Sequence, residues 1–234
     1  MKLNTNSNSY IIIYSSIVVI IVAFLLAFVS KALEPTSQAN ERIDKKKQIL
    51  ASLNIRGIDN KEVEKEYKKY ISYDKIIRSD GSVVDEGNNK DEAGFKVNLK
   101  DITDNNLPIY YCYIDGQTKY VIPLSGKGLW GSIWGYIALN EDKNTVYGAY
   151  FSHASETAGL GARITEEKFQ DQFIGKKIFK EGNDNVLLSV VKKRDAGQED
   201  FQCDGISGAT FTNVGVSDML HDCLEKYKSF LLNH

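Results

Sequence analysis

The chain has 234 residues, 42% of them hydrophobic and 26% charged, with a formal net charge of −2. That length supports one well-filled globular domain plus an appendage and excludes a purely disordered tail. The near-neutral balance excludes the clustered excess of Lys and Arg that binds nucleic acid, so none is expected as a partner. Three cysteines, Cys112, Cys203 and Cys223, are too scattered for a disulfide framework, a zinc knuckle or a redox dithiol, although a single bridge stays open.

In chain order, the first element is the uncharged apolar run from Tyr10 to Val29. As a helix it rises about 30 Å, the hydrocarbon thickness of a bilayer, and it exceeds the apolar region of a cleaved signal peptide. Ser30-Lys31-Ala32 offers small residues at cleavage offsets, but length favours an uncleaved anchor. Residues 1–33 are therefore expected to form a tail and transmembrane anchor, residues 34–40 a Pro-containing linker, and residues 41–234 the globular domain. Lys2 precedes the span, whereas Lys31, Arg42, Lys45, Lys46 and Lys47 follow it. That count leans toward a cytoplasmic domain, an inference that weakens for large translocated domains.

Charged helices are predicted from Glu41 to about Leu53 and from Lys61 to about Ile77, and a loop or flap from Arg78 to Lys90. The period then changes to that of strands. Leu107–Ile114 and Thr118–Leu124 flank Asp115-Gly116, a hairpin signal, and Ile133–Leu139 and Thr145–His153 form a second pair. A short helix is predicted over Glu166–Phe173, a strand over Val186–Lys192, and a closing helix over Val216–Leu232. In that helix Met219, Leu220, Cys223, Leu224, Tyr227 and Leu231 recur on one face. The fold class is α+β, with an antiparallel-leaning sheet and packed helices on one side.

Three segments carry candidate chemistry. Asp204-Gly205-Ile206-Ser207-Gly208-Ala209-Thr210-Phe211-Thr212-Asn213 crowds hydroxyls beside small residues. Thr212 or Asn213 would cap the closing helix, where backbone N–H groups and the dipole favour an anion. On pattern alone, a ligand-free glycine loop with a polar cap is the favoured reading. Ser125 to Tyr136 interleaves glycines with both tryptophans, which in isolation read as sheet core. His153 to Ala162 in isolation reads as a glycine-rich loop with Glu156 solvated.

Taken together, these segments resemble known proteins. Ser207 to Thr212, with Asp204 upstream, resembles the flavinylation motif of the FMN-binding domain family, Ser/Thr-Gly-Ala-Ser/Thr-x-Ser/Thr after an Asp. In that family a flavin transferase moves the FMN part of FAD onto a motif hydroxyl. The order of all three segments behind an N-terminal span is similar to the C subunits of sodium-translocating NADH:quinone oxidoreductases. The chain departs from that pattern at Ala158 and Ser132, where the family usually carries proline; both changes loosen a turn and remove no functional group.

The resemblance implies FMN joined through its phosphate to Thr212, with Thr210 the alternative and Asp204, Ser207, Gly208 and Ala209 as the surrounding motif. It also implies that Glu156, Thr157, Leu160 and Gly161 line the flavin, with Trp130 beside the ring and Lys192 or Lys193 near the phosphate or ribityl chain. No metal is expected. The implied activity is electron relay inside a membrane complex that oxidises NADH, reduces quinone and exports sodium. The other subunits, the transferase and the membrane are then partners, and the domain sits on the periplasmic side of a bacterial inner membrane. The G subunit of the Rnf electron-transport complex and a flavin-free anchored scaffold are the alternatives.

Overall fold

The structure is a computed structural model and describes residues 7–86, 93–192, 195 and 197–233. Its contacts separate two compact units, Met1–Asp44 and Lys45–His234.

In the first unit, α1 (Asn8–Ser52) begins as an apolar helix whose strongest window has a mean hydropathy of 3.0 with none of it buried. Among the described residues it is the one helix long and apolar enough to cross a membrane. Phe24 is 70% exposed, and the neighbouring Ile, Val and Leu side chains are exposed with it. A solvated apolar surface of that extent is costly in water and ordinary in lipid. α1 continues through Pro35, so residues 34–40 are helical where the sequence reads as a break. Proline removes one hydrogen bond at residue 31, and the Ala, Leu, Glu and Gln around it keep the rest of the helix favourable.

The second unit starts with the last turns of α1, where Ile49, Leu50 and Leu53 enter the core. α2 (Val63–Tyr70) leads into β1 (Ile71–Ile77), so the second half of the helix predicted for 61–77 is a strand. Within the segment predicted as a loop lies β2 (Val83–Glu86), which pairs with β1; residues 87–90 fall outside the described residues. After α3 (Ala93–Lys96) come β3 (Leu107–Ile114), β4 (Gln117–Lys127), β5 (Ser132–Leu139) and β6 (Val146–His153). These complete a six-stranded antiparallel sheet in the order β2-β1-β3-β4-β5-β6. The β3–β4 turn is the predicted Asp115-Gly116, with φ of 50° and 81°. Two positive φ values make a tight mirror-image turn that suits the twist of the paired strands.

Beyond β6 lie α4 (Glu167–Gln170), β7 (Ser189–Val191) and β8 (Gln202–Asp204), the last two parallel, then α5 (Thr210–Lys226) and α6 (Lys228–Leu232). Strand alternation splits the core in two. Ile122, Leu124, Ile133 and Ile137 pack against α5 through Val216, Met219, Leu220 and Leu224. On the other face Tyr110, Val121, Tyr136 and Ala138 pack against Ile49, Leu50, Tyr67 and Phe95. Helices therefore cover both faces of the sheet and not one. The second layer comes from Lys45–Ser52 and α2, whose narrow apolar stripes read in the sequence only as generic packing surface.

Small residues bring α5 close to β4. A Cβ at Gly215 would stand 2.5 Å from the Lys127 carbonyl oxygen, and one at Gly126 would stand 2.6 Å from Met219 Cβ. Ser217 Oγ ties the same helix to β7, accepting from Val190 N at 2.9 Å and donating to Val190 O at 3.0 Å. These approaches place the first turn of α5 beside the β4–β5 loop.

Candidate functional site

Three loops converge at the start of α5. The helix begins at Thr210 with Ala209 as its N-cap, so Thr212 is its third residue and sits in the first turn, and neither Thr212 nor Asn213 is the cap expected from the sequence. Residues 210–213 are helical because Asn213 closes the loop that precedes them. Its Oδ1 accepts from Ile206 N at 3.0 Å and its Nδ2 donates to Ile206 O at 2.9 Å. Its own N–H donates to Ala209 O at 2.9 Å. Gly208 takes the left-handed φ of 81° that turns the chain into the helix.

Thr212 is 2% exposed, and its Oγ1 donates to Glu156 Oε2 at 2.6 Å. Glu156 is buried as well, not solvated, and its other oxygen accepts from Trp130 N at 2.9 Å. A buried carboxylate without such donors would be strongly disfavoured, so both hydrogen bonds hold it in place. His153 Nδ1 accepts from Glu156 N at 3.1 Å, which fixes the backbone from which the carboxylate projects. Ser155 Oγ donates to Trp130 O at 3.1 Å and stitches the loop after β6 to the β4–β5 loop.

The space around this contact is set by two glycines. A Cβ at Gly161 would stand 2.4 Å from Thr212 Oγ1 and 2.5 Å from Glu156 Oε2. One at Gly128 would stand 2.5 Å from Glu156 Oε1. Only a residue without a side chain lets these backbones close on the hydroxyl and the carboxylate. Thr157 O accepts from Leu160 N and Ala162 N, each at 3.1 Å, folding the loop that covers the hydroxyl.

Outside this polar centre lies an apolar surface. Trp130 is 67% and Phe211 69% exposed, and Leu129, Leu160 and Val214 are exposed too. Trp130 is thus not sheet core, while Trp134 is half-buried and donates to Gln48 Oε1 at 3.1 Å. Thr210 and Ser207 are exposed, and Ala209 is buried. Thr157 is exposed, and Leu160 Cδ2 lies 3.0 Å from a Cβ built on Gly208. Asp204 ends β8, where its N–H donates to Gln172 Oε1 at 2.9 Å. A groove of about 450 Å³ borders Asp204, Gly205, Ile206 and Ser207 on the side of Phe169 and Gln172. Lys192 is exposed, one residue past Val191, whose carbonyl accepts from Gly205 N at 2.8 Å; Lys193 lies outside the described residues.

The structure thus gathers Glu156, Gly161, Trp130 and Thr212 into one centre and leaves Thr210 at its edge. Gly128, His153 and Asn213 also belong to the centre, although sequence reasoning does not name them as site residues. For Gly128 the one pointer is its place in the glycine–tryptophan run. Among the described residues no cluster of His, Cys, Asp or Glu could hold a metal ion.

These residues fit an FMN held through its phosphate. A hydroxyl stands in the first helical turn, where backbone N–H groups have no acceptor within the helix, and exposed aromatic and aliphatic side chains flank it.

Residues 128–225 match the model of the FMN-binding domain family. The chain is 31% identical to the C subunit of the Na(+)-translocating NADH-quinone reductase of Haemophilus ducreyi, over 93% of this chain and 90% of that one. It is 27% identical to the Pseudomonas aeruginosa protein of the same name over 98% and 97% of the two chains. The crystal structure of the corresponding C subunit from Parabacteroides distasonis superposes with a TM-score of 0.79 at 40% identity, covering 86% of this chain and 98% of that one. A full-length correspondence of this kind, with the domain match falling on the centre built from Gly128, Glu156 and Thr212, places the chain in the family of Na(+)-translocating NADH-quinone reductase C subunits.

Proposed function

We propose that the chain is an electron-transfer subunit of a Na(+)-translocating NADH-quinone reductase and carries FMN covalently, through a phosphodiester on Thr212 Oγ1. The observation that carries this reading is the hydrogen bond from Thr212 Oγ1 to Glu156 Oε2, which singles out one hydroxyl of the motif. Thr210 has no such partner in this centre and is exposed.

A phosphate tether leaves the isoalloxazine free to take and give electrons one at a time, chemistry that belongs to the cofactor. The protein supplies position and access. Trp130, Leu160 and Phe211 would flank the ring, and Lys192 would face the phosphodiester or ribityl chain, where one negative charge remains. α1 would anchor the domain in the inner membrane, with the domain on the periplasmic side. The other members of the complex would be electron donor and acceptor, and a flavin transferase would install the FMN.

The test is intact mass after co-expression with a flavin transferase, followed by mapping of the peptide that spans Asp204 to Asn213. One added FMN on Thr212 is the expected result. An unmodified chain under conditions that modify a positive control would overturn the reading, and modification of Thr210 would move the attachment site.

A further inference from the structure

We infer that Glu156 takes the proton from Thr212 when FMN is attached, so that the acceptor protein supplies the base for its own modification. This rests on the reading that Thr212 is the attachment residue.

An alcohol is a weak nucleophile, and a neighbouring base activates it by removing the proton as the new bond forms. Such a base must stand within hydrogen-bond reach of that proton before its acidity matters. Glu156 Oε2 is 2.6 Å from Thr212 Oγ1, and the threonine is the donor in that contact. The Trp130 N–H binds the other carboxylate oxygen, which leaves Oε2 to face the hydroxyl. His153, through Nδ1 on Glu156 N, and Gly128, by having no side chain, fix where the carboxylate stands.

The step balances on these atoms. Thr212 Oγ1 attacks the phosphorus on the FMN side of FAD, which the transferase presents. The bond from that phosphorus to the bridging oxygen breaks and AMP leaves with that oxygen. The hydroxyl proton passes to Glu156, and no electrons are exchanged. Glu156 and Gly161 lie on the same loop over the hydroxyl, and Gly161 adds no side chain to the cover.

The experiment compares the purified chain with its Glu156→Gln variant, using one flavin transferase and FAD, and follows added FMN by intact mass over a range of pH. Glutamine keeps the size of the side chain and an acceptor for Trp130 N but cannot take the proton. Attachment should slow by about 100-fold at neutral and alkaline pH, within the span of general-base effects. The ratio of the two rates should shrink in acid, because base catalysis is lost once a base is protonated. The transferase's own pH dependence cancels in that ratio.

Equal rates on Thr212, or a constant ratio at every pH, would overturn the base role. If the glutamine variant does not fold, Glu156→Asp provides the comparison. A slower rate with the pH dependence kept supports the inference, and an unchanged rate overturns it. A wild-type chain that gains no FMN, or gains it on Thr210, defeats the proposed function itself; modification on Thr212 with an unaffected Glu156→Gln variant defeats this inference alone.

Discussion

Thr212→Ala is expected to abolish FMN attachment while the domain stays folded, whereas Thr210→Ala keeps attachment on Thr212. The alanine removes the one motif hydroxyl that contacts Glu156. It also removes a donor from a buried carboxylate, which costs about 1–3 kcal/mol when the partner oxygen is left unsatisfied. That loss is a modest part of a domain's stability and shows as a lowered thermal midpoint with unchanged circular dichroism. Thr210, exposed at the first position of α5, loses little by the same change. Co-expression of each variant with the transferase, followed by in-gel fluorescence of denatured protein, reads the outcome. Fluorescence retained by Thr212→Ala and lost by Thr210→Ala would reverse the assignment.

The largest expected effect on stability belongs to Gly135→Ala. Gly135 pairs with Phe151 in the β5–β6 ladder, and a Cβ there would stand 2.1 Å from the Tyr150 carbonyl oxygen and 2.9 Å from Phe151 Cδ1. The obstacle at 2.1 Å is backbone, held by its neighbours in the sheet, so it cannot rotate away as a side chain could. Phe151 packs its ring 4.9 Å from that of Phe173 and 6.0 Å from that of Phe169, so it has little room to yield. Overpacking of this kind costs about 3 kcal/mol. For a domain of this size that lowers the thermal midpoint by about 6–12 °C. Calorimetry or a urea titration of the two proteins measures it, and a midpoint within a degree of wild type would show that the ladder relaxes.

Much of this architecture is written locally. Asp115-Gly116 fixes the β3–β4 turn because few residues accept two successive positive φ values. The apolar positions of the closing helix, from Met219 to Leu231, are buried where their spacing puts them. Local pattern misleads at Ile71–Ile77, where burial falls on Ile71, Asp74 and Ile77 at a helix-like interval. Two things produce it: the β1–β3 register is irregular between Ile71 and Tyr73, and the strand is buried on both faces, Ile71 in one core cluster and Ile77 in the other. Pattern also starts α5 too late, because Thr210 to Asn213 have weak helix propensity and the side chain of Asn213, reaching back to Ile206, overrides it. The contact between Glu156 and Thr212 joins residues 56 apart in the chain, a relation on which no local spacing can report. The family resemblance implies a flavin-lining role for the one and a flavin-bearing role for the other but is silent on their hydrogen bond to each other.

All three cysteine thiols are buried. Burial pushes the Cys112 and Cys223 thiols above their ordinary range, and Cys203 Sγ donates to Gln172 O at 3.5 Å. Since the thiolate is the form that reacts, the folded chain should be nearly silent toward maleimides. The protein is in that sense already a cysteine-less background for topology mapping. A single Glu181→Cys change, at an exposed turn, should then respond to a membrane-impermeant maleimide in cells whose outer membrane has been opened. Labelling only after the inner membrane is broken would put the domain in the cytoplasm.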